Sequence, residues 1–138
     1  KPEIDPFDFD AMIKEKLNVL NMKEAFLSRP VNHGFSGGEK KRNEILQMLM
    51  LDPRVVVLDE TDSGLDIDSL KQVSDAINHF KSENKMILII THYQRLLNHI
   101  VPDIVHIMAE GKIIKSGDKS LALTLEDQGY DVFKEEKS

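Results

Sequence analysis

The chain has 138 residues, no cysteine and a formal net charge of -6, with 41% hydrophobic and 30% charged residues. This length suits one domain with one core, and the balance is ordinary globular usage rather than that of a disordered or fibrous chain. The acidic charge argues against a nucleic-acid surface, the lack of thiols excludes disulfides and cysteine ligation of a cluster, and no apolar run nears the roughly 20 residues of a membrane helix, so no direct membrane insertion is expected.

From Pro6 to Leu27 the apolar residues Phe7, Met12, Ile13, Leu17, Leu20 and Phe26 predict two short helices broken at Asn21. Ser36-Gly37-Gly38-Glu39 fits a capping box ahead of a helix over 40–51, which Asp52-Pro53 ends. Arg54 to Leu58 is a β-branched apolar run without alternation, which predicts a parallel strand covered on both faces, with Asp59 and Glu60 at its C-terminal end. Ile67, Leu70, Val73, Ile77 and Phe80 then make one apolar helical stripe that begins near Asp66. Met86 to Ile90 reads as a second buried strand, and Ile104 to Met108, the turn Glu110-Gly111 and Lys112 to Ser116 read as a hairpin. A short helix around Leu121 to Leu125 follows, and the alternation of strands and helices implies an α/β architecture. No repeat or low-complexity linker divides the chain, so a single domain is expected. Because Lys1 stands first and no leader pattern follows it, the natural N-terminus is expected upstream.

Four segments could carry chemistry, and each also has a plain structural reading. The glycines of Phe35-Ser36-Gly37-Gly38-Glu39 let backbone N–H groups approach a phosphate at a helix N-terminus, or the segment is an ordinary cap. Asp59 and Glu60 leave a strand where open α/β sheets place ligands, which suits Asp59 to a magnesium ion and Glu60 to an attacking water; alternatively the acidic pair ends a strand in solvent. Ser63-Gly64-Leu65-Asp66 is either a functional loop or a glycine turn before an Asp cap. His92 follows Met86 to Ile90 and Thr91, so its ring is expected at the same sheet edge as Glu60.

Taken in order, Ser36 to Glu39, Val55 to Glu60, Ser63 to Asp66 and His92 resemble the signature, Walker B, D-loop and switch histidine of the ABC ATPases. Transporter members usually have Pro after the catalytic Glu and Gln at the end of the signature, where this chain has Thr61-Asp62 and Glu39. The stretches GFSGGEKKRNEIL (34–46) and LDETDSGLDIDSL (58–70) resemble the ATPase of the SUF iron-sulfur assembly system, SufC type. The resemblance implies the C-terminal part of an ABC-type, RecA-like nucleotide-binding domain. About 1–52 would be helical subdomain with the signature, and about 53–138 the Walker B, D-loop and switch-histidine core with a C-terminal hairpin. It implies ATP and Mg2+ as cofactors and an ATP-dependent homodimer. In that dimer Ser36, Gly37, Gly38 and Glu39 act in trans on the nucleotide, Asp59 supports Mg, Glu60 is the general base and His92 contacts the γ-phosphate. Ser63, Gly64, Leu65 and Asp66 would relay between subunits. SufB-like and SufD-like scaffold proteins are the implied partners, and the cytoplasm, or a plastid or apicoplast stroma, the implied compartment.

The Walker A pattern G-x-x-x-x-G-K-[ST] occurs nowhere in the 138 residues, so this segment alone is expected to bind ATP poorly and to be inactive. Family strand order puts the phosphate-loop strand between 86–90 and 104–108. Those two strands are therefore expected apart, or paired with other chain. Two rival readings remain: the ATP-binding subunit of a membrane transporter, and a non-catalytic interaction segment.

Overall fold

The computed structural model describes residues 3–28, 30, 34 and 36–129, with Gln94 described by its backbone alone; Phe35, ahead of the Ser36 turn, lies outside them. Contacts group the chain into two units, 1–92 and 93–138.

In the first unit, helix α1 (Pro6–Val19) starts where the Asp5 side chain accepts from the Phe7 N–H at 2.8 Å with Pro6 in its first turn. It ends ahead of Asn21, whose φ of 49° takes the chain out of the helix, and the second expected helix is only a 3-10 turn at Glu24–Phe26. Helix α2 (Gly37–Leu51) carries the expected capping box and begins three residues earlier than its apolar pattern suggests. Asp52, left-handed at φ 45°, closes α2, and Pro53 cannot extend it. Helix α3 (Ile67–Phe80) buries Leu70, Val73, Ala76, Ile77 and Phe80 as its stripe requires, but Ile67, in the first turn, is exposed. The three helices pack on one another, with Leu17, Leu20, Ile45, Leu49, Val73 and Ile77 among the buried side chains. Each such side chain contributes about 1.5–3 kcal/mol relative to exposure.

Strands β1 (Val55–Asp59) and β2 (Met86–Ile90) pair in parallel through the α3 crossover, in register from Val55 opposite Met86 to Asp59 opposite Ile90. The expectation that β1 is covered on both faces is not met. Val56 and Leu58 are buried, whereas Val55 and Val57 are exposed, as are Met86, Leu88 and Ile90 of β2. Opposed residues of a parallel pair share a face, so these five form one open apolar surface. Side chains of the described residues bury the opposite face of β1 only, and an apolar run does not reveal that. A groove of about 460 Å³ lies beside β1 and α2, with Glu44, Met48, Leu51, Val57 and Asp59 in its lining.

The second unit opens with a 3-10 segment, Gln94–Asn98, that the sequence pattern does not announce. Strands β3 (Val105–Ala109) and β4 (Lys112–Gly117) form the expected antiparallel hairpin around Glu110 and Gly111, whose φ values of 51° and 75° are those of a two-residue hairpin turn. Helix α4 (Lys119–Gln128) extends beyond the expected Leu121 to Leu125 and is capped by Asp118, and Leu121 packs with Ile107, Val105, Ile114 and Leu125. Among the described residues β2 pairs only with β1 and β3 only with β4, so the strands expected to lack a common neighbour do stand in separate sheets. No described helix is long and apolar enough to cross a membrane.

Candidate functional site

The parallel register carries β1 and β2 to a common C-terminal edge. There the Glu60 N–H donates to the Ile90 carbonyl at 2.8 Å, one step beyond the Asp59–Ile90 pair. Glu60 has φ 49°, a left-handed conformation uncommon for a residue with a side chain, and this turns the chain sharply off the strand. Glu60 Oε1 and His92 Nδ1 lie 3.1 Å apart, with both side chains a little over half exposed at 54% and 55%. An ionised carboxylate only accepts, so in this pair Nδ1 carries the proton. Asp59 stands exposed beside them at the end of β1. The edge expected of Glu60 and His92 is therefore real, and the two side chains touch.

After Glu60 the chain turns back, the Ser63 N–H donating to the Glu60 carbonyl at 3.1 Å, with Gly64 at φ 73°. Leu65 is buried, and Asp66 caps α3 by accepting from the Ser69 N–H at 2.7 Å. That backbone hydrogen bond, and then the Ser69 side chain, hold the Asp66 carboxyl below its usual pKa. The plain cap reading of Asp66 thus holds locally.

Ser36 and Glu39 use their polar groups on each other: Ser36 Oγ accepts from the Glu39 N–H at 3.2 Å, and Glu39 Oε2 accepts from the Ser36 N–H at 2.8 Å. Among the described residues no atom lies within 4 Å of where a Cβ on Gly37 would stand, so a ligand or partner could approach its backbone closely. Gly38 instead lies against Leu65 and Ser69; a Cβ there would meet Ser69 Oγ at 3.5 Å and Leu65 Cδ2 at 3.8 Å. The glycine turn and the 63–66 loop are therefore neighbours within one chain.

Two buried residues beside this edge escape sequence reading. Thr61 and Asp62 are 4% and 3% exposed, and Asp62 Oδ2 accepts from Thr91 Oγ1 at 2.7 Å. Thr61-Asp62 is visible in the sequence as a departure from the transporter pattern, but the pairing of Asp62 with Thr91 across 29 positions is not. Among the described residues no group of three or more His, Asp or Glu could hold a metal ion by itself. A lone exposed Asp59 fits a magnesium ion that arrives with a substrate's phosphates, since that ion takes one or two carboxylates and keeps its waters.

Residues 8–63, which include Ser36 to Glu39 and Asp59-Glu60, match the family model described as "ABC transporter". A protein of Synechocystis named "Probable ATP-dependent transporter slr0075" is 58% identical over 134 residues, covering 97% of this chain and 52% of its own length. The chain belongs to the ABC ATPase family. The Escherichia coli protein named "Probable ATP-dependent transporter SufC" is 54% identical over 127 residues, covering 92% of this ABC ATPase chain and 51% of the relative. The chain thus spans about half the length of these relatives. In fold it is similar to the dimeric structure of MJ0796, a bacterial ABC transporter cassette, with TM-score 0.72 and 16% identity over 86% of this chain and 50% of that one. The fold is that of part of an ABC nucleotide-binding domain.

Proposed function

We propose that in the full-length protein this chain is part of the ATP-hydrolysing subunit of a SUF-type iron-sulfur assembly machine, working in the cytoplasm or a plastid stroma. The observation that carries the reading is the 3.1 Å contact of Glu60 with His92 at the C-terminal edge of a parallel sheet, beside Asp59. Glu60 Oε1 accepts from His92, which leaves Oε2 to take the proton of a water attacking the γ-phosphorus as the bond to the ADP oxygen breaks. His92, held through Nδ1, would contact a γ-phosphate oxygen through Nε2; because that oxygen only accepts, the contact requires a proton on Nε2 as well as on Nδ1. Asp59 would hold magnesium, which neutralises developing phosphate charge.

Completion of the site in trans is supported by the open backbone at Gly37, where Ser36, Gly37, Gly38 and Glu39 would face the γ-phosphate held by a second subunit. The contact of Gly38 with Leu65 supports the 63–66 loop as a relay, because a shift of the glycine turn must be felt there. SufB-like and SufD-like scaffolds would handle iron and sulfide, for this chain has no cysteine to ligate them. The names of these relatives favour a second reading, the ATPase subunit of a transporter.

Affinity purification of the tagged full-length protein, with ATP turnover assayed on the isolate, tests both readings. The SUF reading expects ATP hydrolysis and copurification with a soluble scaffold; copurification with a polytopic membrane protein would replace it with the transporter reading. A pure full-length protein without ATP turnover, alone and with its copurified partner, would remove both.

A further inference from the structure

The pair of buried Asp62 and half-buried Thr91 has no part in the roles above. Asp62 is 3% exposed, yet its Oδ1 is buried without a hydrogen-bond partner, and Oδ2 accepts from Thr91 Oγ1. A carboxylate taken out of water with one oxygen unmatched works against stability. Apolar side chains of similar shape at both positions would cost the fold less, so stability does not account for this pair.

Its placement does. Asp62 lies two residues after Glu60, and Thr91 lies immediately before His92. The Glu60 N–H to Ile90 carbonyl bond and the Glu60–His92 contact already join the two strand ends. The backbone bond leaves the side-chain directions open, the contact of two half-exposed side chains holds them only to each other, and Glu60 sits at φ 49°, a backbone state that persists only when its surroundings over-determine it. The Asp62–Thr91 bond closes a ring through residues 60–62 and 91–92, tying the turn after β1 to the exit of β2 behind the exposed pair.

We propose that Asp62 and Thr91 are positioning residues: their partly buried hydrogen bond sets the separation and aim of Glu60 and His92, and so governs the chemical step rather than nucleotide binding. The proposal rests on the reading of Glu60 as general base. In the full-length protein, Thr91→Val removes the hydroxyl with little change of shape, Thr91→Ser keeps a hydroxyl, and Asp62→Ala with Thr91→Val removes both polar partners. A displaced base costs on the order of tenfold to a hundredfold in rate. Thr91→Val should therefore lower kcat at least about tenfold with the KM for ATP changed less than about twofold, and Thr91→Ser should recover most of the loss. The double variant should regain thermal stability without regaining kcat, a split that a merely structural role would not produce. In a Glu60→Gln background, Thr91→Val should change the residual rate less than about twofold, because the group it aims is already disabled.

Unchanged kcat in Thr91→Val, equal losses in Thr91→Val and Thr91→Ser, or recovery of kcat with stability in the double variant would each overturn the proposal. Full turnover in Glu60→Gln alone would remove the base assignment and the proposal with it. An inactive Glu60→Gln beside a fully active Thr91→Val removes only the positioning role.

Discussion

With Oε1 of Glu60 accepting from His92, Oε2 is the oxygen left to meet a water, and a side chain that keeps the shape but takes no proton should isolate that role. In the full-length protein Glu60→Gln is expected to retain ATP binding and to lose about a hundredfold or more in turnover, the scale of general-base catalysis. Near-normal turnover would sink the assignment. Asp66 gives a pH test at the same scale. Its folded pKa is depressed, so the stability it contributes is complete above its unfolded value of about 3.9 and is lost as pH falls through the lower folded value. Asp66→Ala should accordingly melt below the parent at pH 7, with the gap closing as pH drops below about 4; a constant gap from pH 7 to pH 3 would show that the ionised carboxyl does not carry the cap. The sequence places Glu60 and His92 at one edge because both follow apolar strands directly, and the structure agrees. The sequence marks Asp62 as a departure from the transporter pattern but gives no hint that it pairs with Thr91, because a bond between distant side chains leaves no local period to read.

At the scale of elements, the start of α2 joins two functions that substitution can separate. Ser36 Oγ caps the helix by accepting from Glu39, while the reading in trans requires a small neutral group facing phosphate. Ser36→Ala should cost about 1 kcal/mol of stability through the lost cap, and Ser36→Asp should keep that stability because Asp caps equally well. Turnover should fall more in Ser36→Asp, which sets a negative charge toward phosphate; denaturant melts and ATPase rates of the two full-length variants would show whether the orders of stability and activity are reversed. Elements with local signals were legible: the capping box at Ser36, the stripe from Leu70 to Phe80, and the Glu110-Gly111 turn. The 3-10 segment Gln94–Asn98 was not, lacking caps and period. The open face of β1 was also illegible, since Val55 and Val57 are as apolar as Val56 and only the packing partner tells them apart.

For the molecule as a whole, the five exposed apolar residues of the β1–β2 sheet and its edges, unpaired among the described residues, are the features with the largest consequence. Full burial of such a side chain is worth about 1.5–3 kcal/mol, so leaving five of them largely in water forfeits an amount comparable with a whole-domain margin of about 5–15 kcal/mol. Residues 1–138 expressed alone are therefore expected to be unstable or to self-associate through strand edges and to bind ATP poorly. Sedimentation, a thermal melt and ATP titration of that segment check this, and a monomer with a cooperative melt and micromolar ATP affinity would contradict it.

The two sheets also differ in how far apart in the chain their partners lie. Ala109 and Lys112 pair across a two-residue turn, whereas Val55 must find Met86 across the whole of α3. Closing the short loop takes microseconds, and the long one first has to overcome the entropy of the intervening chain. Contact order therefore predicts an order of assembly: the hairpin is expected to form early, and the edge that carries Glu60 and His92 only once the chain through α3 has brought its two strands together. On this expectation the edge proposed to carry the chemistry is a late product of folding, and a delay in α3 postpones it while leaving the hairpin untouched.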